Sequence, residues 1–153
     1  MMAIGHDRLT PEGKRFFAEI EKLKAQEVHV GFQAGGAAED DGTDVAAVAM
    51  WNELGTSTAP ARPFMRKSVD ENMSQIKAMC AAQLKKITEG GTTEEALTQI
   101  GTFQKGLIQQ KIVNGSFTAN APSTIRKKGS EKPLIDTGRM RQSVNFVVRR
   151  KGE

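Results

Sequence analysis

A chain with a single cysteine, Cys80, cannot close an internal disulfide. With only two histidines, His6 and His29, and no His-x-x-x-His spacing, it also lacks the ligand pattern of a zinc site. Tyrosine is absent and there is one tryptophan, so the core must be mostly aliphatic and methionine-based. No apolar run approaches the roughly 20 residues a membrane helix needs, and no signal-peptide pattern follows Met1. The expectation is a soluble protein made in the cytoplasm.

Catalytic and cofactor patterns are equally scarce. The glycines at 31, 35, 36 and 42 lack the Gly-Lys-Ser/Thr step of a phosphate cradle. Glu39, Asp40, Asp41 and Asp44 crowd one loop without the spacing of an EF-hand, which reads as a solvated acidic loop. Ser143 lies near Arg139 and Arg141, with no base identifiable to activate it. The sequence therefore predicts no enzyme, no cofactor and no metal.

At 153 residues the chain has single-domain length and can bury a core without staples. Its net charge of +4 is unevenly placed. Residues 123–153 hold nine Lys/Arg against three Asp/Glu, a surplus of six, which leaves residues 1–122 at minus two. A basic segment can meet nucleic acid or an acidic protein surface, or simply face solvent.

The pattern along the chain predicts an α+β fold. Thr10-Pro11 starts a helix that places Phe16, Phe17, Ile20 and Leu23 on one face. Glu27 to Phe32 alternates as a half-buried strand, followed by a mobile loop at about 33–43. Asp44 caps a short helix that turns Val45, Val48 and Ala49 inward and runs to Leu54.

A long helix is predicted from Pro63 to Thr88, with Met65, Val69, Met73, Ile76, Cys80, Leu84 and Ile87 as its apolar stripe. It would span roughly 37 Å, longer than such a domain needs. Gly90-Gly91 ends it, and Thr92 with Glu95 forms a capping box for a partner helix to about Val113. That helix turns Leu97, Ile100, Phe103, Leu107 and Ile112 inward, and Gly101 and Gly106 weaken it.

Ser123 then caps a brief turn, residues 126–132 form a basic loop, and Thr137 or Asp136 caps a helix from Gly138. Val144, Phe146 and Val148 alternate as a closing strand. Two strands make a marginal sheet, so either residues 115–119 supply a third or neighbouring subunits complete it.

The most informative stretch is Trp51 to Val69, WNELGTSTAPARPFMRKSV. Gly55 follows Leu54 where a helix stop belongs, glycine taking the left-handed conformation that closes a helix C-terminus. Pro60 and Pro63 hold Ala59 and Arg62 extended, and Pro63 is suited to open the next helix. Glu53 and Arg62 flank the turn with opposite charges, which predicts a pair across it.

VAMWNELGT followed by PARPFMRKSVDEN, with PLIDTGRMRQSV at 133–144, resembles small tail-completion and neck proteins of long-tailed double-stranded DNA bacteriophages. The resemblance rests on Glu53, Gly55, Thr56, Arg62, Pro63 and Phe64 in the first block. In the second it rests on Asp136, Thr137, Gly138, Arg141 and Ser143. It implies a structural virion protein at the head–tail junction or tail end, assembling as a ring without turnover. The partners it implies are copies of itself, the tail tube or tail terminator, and connector proteins, with no membrane.

In such a ring the basic residues Arg126, Lys127, Lys128, Arg149, Arg150 and Lys151 could touch packaged DNA non-specifically. The rival reading is a non-specific DNA-binding protein that uses this same basic segment. The loops at 33–42 and 126–132 carry opposite charge and are expected to join neighbouring subunits.

Overall fold

The computed structural model describes residues 8–119 and 138–153, which hold six helices and two strands. Thr10 caps α1 (Pro11–Ala25) by accepting from the Gly13 N–H at 3.1 Å, and β1 (Gln26–Gly31) follows directly. Asp44 caps α2 (Val45–Leu54) through the Ala46 N–H. After a corner come α3 (Phe64–Asp70), α4 (Met73–Thr88), α5 (Thr93–Asn114), α6 (Arg139–Ser143) and β2 (Asn145–Arg150). The α+β architecture is as expected: a helical hairpin, α4 and α5, lies with a small antiparallel sheet and short flanking helices.

The fold is organised on α5. At 22 residues it is about 33 Å long, and α1, α3, α4, α6 and both strands all pack on it. Gly90, at φ 108°, turns the chain out of α4, and both halves of the Thr92–Glu95 capping box are formed. The helix continues unbroken through Gly101 and Gly106. Gly101 has a packing reason: a Cβ there would lie 2.5 Å from the Phe146 ring of β2. The absent side chain lets the sheet approach the helix.

β1 and β2 pair antiparallel, with Val28 opposite Val148 and Val30 opposite Phe146. Residues 115–119, the expected third strand, are irregular, so among the described residues the sheet has two strands. Packing on α5 supplies what so small a sheet lacks on its own. The main core gathers Val45, Ala49, Phe64, Ile108, Ile112, Met140 and Val144, with Phe32 edge-on to Phe64 at 6.0 Å between ring centroids.

The predicted helix from Pro63 to Thr88 is two helices. Asn72 interrupts it at φ −125°, its side-chain amide donating to the Ser68 carbonyl, while the Ser68 hydroxyl donates to the Met65 carbonyl. These local bonds compete with the helical ladder and let the chain bend. Pro63 stands at the N-cap position of α3, one residue before the helix.

The apolar stripe expected to be core is largely uncovered on α4, where Met73, Cys80 and Leu84 are exposed and Ile87 and Gln83 are buried. Phe17 on α1 is exposed as well. On α5 the buried face runs through Thr93, Leu97, Gly101, Ile108 and Ile112, so Ile100, Phe103 and Leu107 sit at its margins.

Two side chains of α1 fasten it to the hairpin. The Arg15 guanidinium donates to the carbonyls of Ile87 and Gly91, at 2.5 and 2.9 Å. The buried Glu19 carboxylate accepts from the Thr93 N–H at 2.8 Å and pairs with Lys22. The Thr93 hydroxyl also donates to the Glu19 carbonyl at 2.8 Å.

Candidate functional site

The corner between α2 and α3 is built by backbone chemistry first. Gly55 closes α2 at φ 77° and ψ 169°, an extended positive-φ conformation essentially restricted to glycine. This differs from the left-handed cap expected of it. A Cβ at Gly55 would lie 2.8 Å from the Ala61 nitrogen, so the returning strand of the turn needs the space.

Thr56 ties the tip: its hydroxyl accepts from the Thr58 and Ala59 N–H groups, and its own N–H donates to the Ala59 carbonyl. The Arg62 N–H then donates back to the Asn52 carbonyl at 2.5 Å. Pro63, at φ −77° and ψ 66°, forms an inverse γ-turn closed by Phe64 N–H to the Arg62 carbonyl at 2.8 Å. This turn drops Phe64 into the core.

Glu53 and Arg62 do not pair. The Glu53 carboxylate accepts from the N–H groups of Met65 and Arg66, at 2.9 and 3.0 Å. It thereby caps α3, whose own N-cap residue is a proline without a capping side chain. Arg62 is buried and donates to the carbonyls of Thr118 and Ala119, at 2.8 and 3.3 Å, while burial lowers its pKa. Each charge serves backbone groups that a direct ion pair would leave unsatisfied.

The second block approaches the same core. Gly138, at φ 83°, occupies the N-cap position of α6, so this helix begins at Arg139 rather than at Gly138. Asp136 and Thr137, with the cap expected of them, lie outside the described residues, as do Ser123 and the basic loop with Arg126, Lys127 and Lys128. Met140 and Val144 are buried against Phe64's cluster. Arg141 is exposed, and its carbonyl accepts from the Gln109 side chain at 3.1 Å.

Arg139 donates to the Ala38 carbonyl at 3.2 Å and pairs with Asp40 and Glu39. The acidic loop expected to seek a neighbouring subunit therefore spends Asp40 within its own chain. Asp41 accepts from the Thr43 N–H, and Thr43, through its hydroxyl first and its N–H second, holds the Asp41 pKa below the ordinary carboxylate value. Asp44 also accepts from the Gly35 N–H, and Ala38 bridges to Asp44 across the loop.

Ser143 lines a cleft of about 370 Å³ with Gln33, Lys105, Gln142 and Asn145. No basic side chain among the described residues hydrogen-bonds its hydroxyl. At the far end of the sheet Arg149, Arg150 and Lys151 are exposed, and the Lys151 N–H donates to the Ala25 carbonyl. His29 is exposed and contacts Glu27 at 2.8 Å. Among the described residues no group of three His, Cys, Asp or Glu side chains is placed to hold a metal ion. No described helix is long and apolar enough to cross a membrane.

The polar residues that sequence reasoning missed are Arg15, Glu19 and Arg139. Glu19 did leave a signal, standing three residues after Phe16 and four before Leu23, within the apolar face itself. Comparison of the chain with protein-family models, with curated proteins and with solved structures gave no match.

Proposed function

We propose that the protein is a structural virion protein of a long-tailed double-stranded DNA bacteriophage. It acts in tail completion or head–tail joining and assembles with copies of itself into a ring. One observation carries this reading beyond the sequence resemblance. The two blocks that bear the resemblance, far apart in the chain, meet in one core, where Phe64 of the first packs with Met140 and Val144 of the second.

The polar members of the blocks are spent on shape. Glu53 caps α3, Arg62 holds residues 118–119, and Arg139 holds the acidic loop. Such an arrangement makes a rigid surface for docking and needs no turnover. The partners in this reading are the tail tube or tail terminator on one side and connector proteins on the other. Electron microscopy of particles made without the gene tests it: full heads beside separate finished tails are expected. Normal infectious particles would refute it.

The exposed cluster of Arg149, Arg150 and Lys151 favours one second reading, non-specific binding to DNA. Affinity should then fall steeply with salt and be equal for unrelated duplexes.

A further inference from the structure

The first seven residues of α2 read VAAVAMW, apolar on every side, a pattern that belongs to a helix covered all round. Among the described residues it is covered on one side only. Leu54 is 72% exposed, Met50 53% and Trp51 47%, and together they leave an open apolar surface. Beside them a shallow groove of about 260 Å³ runs between α2 and the start of α3, floored by Phe32, Ala49 and Met65.

The second uncovered apolar surface is a ridge. Met73, Cys80 and Leu84, spaced by seven and four residues, share one face of α4 and are all exposed. Neither surface has a cover among the described residues, and one is hollow where the other projects.

Their charges are opposite. Residues 33–54 carry five carboxylates, Glu39, Asp40, Asp41, Asp44 and Glu53, and no Lys or Arg. With Arg139, which pairs with two of them, this segment still has four negative charges in excess. α4 carries Lys77, Lys85 and Lys86 and no Asp or Glu. Among the described residues, only Lys85 of these three has an ion-pair partner, Glu89 at 3.9 Å.

We infer that the α4 ridge of one copy docks in the α2 groove of the next, with the lysines of α4 facing the acidic loop. The contact is heterologous: each chain offers a ridge on one side and a groove on the other, so copies add head to tail and close when the rotation permits. Apolar burial supplies the attraction and the charges set the orientation. The occupant of the groove is therefore a second copy of this chain. The interface gives the ring proposed above its contact, and rests on that reading only for its place in a particle.

Cys80 makes the test direct, because it stands on the ridge and is the only cysteine. Native chains are mixed with size-tagged Leu54→Cys/Cys80→Ser chains at high protein concentration and treated with a short bismaleimide. Docking of ridge in groove gives a mixed-size dimer band, since only a ridge cysteine meeting a groove cysteine joins the two kinds of chain. Leu84→Glu in the native chain should abolish the band, and Lys77→Glu should weaken it most at low salt.

Circular dichroism checks that both variants, altered at exposed positions, remain folded. Same-size bands alone, no band, or a band indifferent to Leu84→Glu would each overturn the interface. A mixed band from a protein whose loss leaves particles intact would keep the interface and sink the neck reading. Separated heads and tails without a mixed band would do the reverse.

Discussion

Arg15 and Glu19 stand one turn apart on α1 and hold the ends of two different helices. Arg15 donates to the Ile87 carbonyl in the last turn of α4, where the helix dipole is negative, and to the Gly91 carbonyl in the bend beyond it, while Glu19 accepts from the first N–H of α5, where the dipole is positive. One turn of α1 thus locks the hairpin at its bend. The Thr93 N–H is the main reason the Glu19 carboxyl titrates below its ordinary value of 4.5.

The sign of the pH effect follows. A carboxyl with a depressed folded pKa adds stability above its unfolded pKa, and that stability is lost as pH falls through the folded value. Urea titrations of the native protein and Glu19→Gln should differ fully near neutrality and converge as pH drops below about 4.5. Glu19→Ala, which leaves the Thr93 N–H buried without a partner, should cost about 1–3 kcal/mol. A pH-independent difference between native protein and Glu19→Gln would show that Glu19 acts by packing alone.

The corner offers a second test. Because Glu53 and Arg62 serve separate backbone groups, their substitutions should be nearly additive. Glu53→Ala removes the α3 cap and should cost about 1–2 kcal/mol. The double-mutant cycle should give a coupling within about 0.5 kcal/mol. A coupling of several kcal/mol would mean that the two charges meet in solution.

How far these features can be read from sequence depends on how local their causes are. The caps at Thr10, Asp44 and Thr92 and the stops at Gly55 and Gly90 involve residues within a turn of each other, and all were legible. So were both strands, from alternation alone. The break at Asn72 was also local, but Ser68 and Asn72 bond to backbone carbonyls that an apolar stripe conceals.

The site itself was less legible. That Glu53 reaches α3, and Arg62 reaches residues 118–119, follows only from how the chain returns after the corner. Periodicity placed Cys80, Met73 and Leu84 on one face correctly, yet it cannot say whether anything covers that face.

The two glycines inside α5 should respond oppositely to alanine. At Gly106 the space where a methyl would stand is open, with nothing within 4 Å, so Gly106→Ala should stabilise by about 0.5–1 kcal/mol through helix propensity. Gly101→Ala drives a methyl into the Phe146 ring and should destabilise by about 1–3 kcal/mol despite the same propensity gain. Adding Phe146→Leu should recover part of the loss. Thermal melts of the four proteins decide it, and equal gains at both glycines would mean that β2 does not press on α5 there.

The basic end of β2 separates position in a particle from stability. Arg149, Arg150 and Lys151 are exposed, and no ion pair is formed by any of them among the described residues. The Lys151 link to Ala25 uses its backbone N–H, which a side-chain change leaves in place. Replacing all three with glutamine should therefore shift stability by less than about 1 kcal/mol. If these residues touch DNA, the same change leaves up to three phosphates without a cation, and the slope of log affinity against log salt should flatten by roughly 0.9 for each such phosphate. Binding that keeps its slope places the DNA elsewhere on the chain. Binding that discriminates sharply between duplex sequences in moderate salt points to base readout, which three side chains on an exposed strand end do not provide.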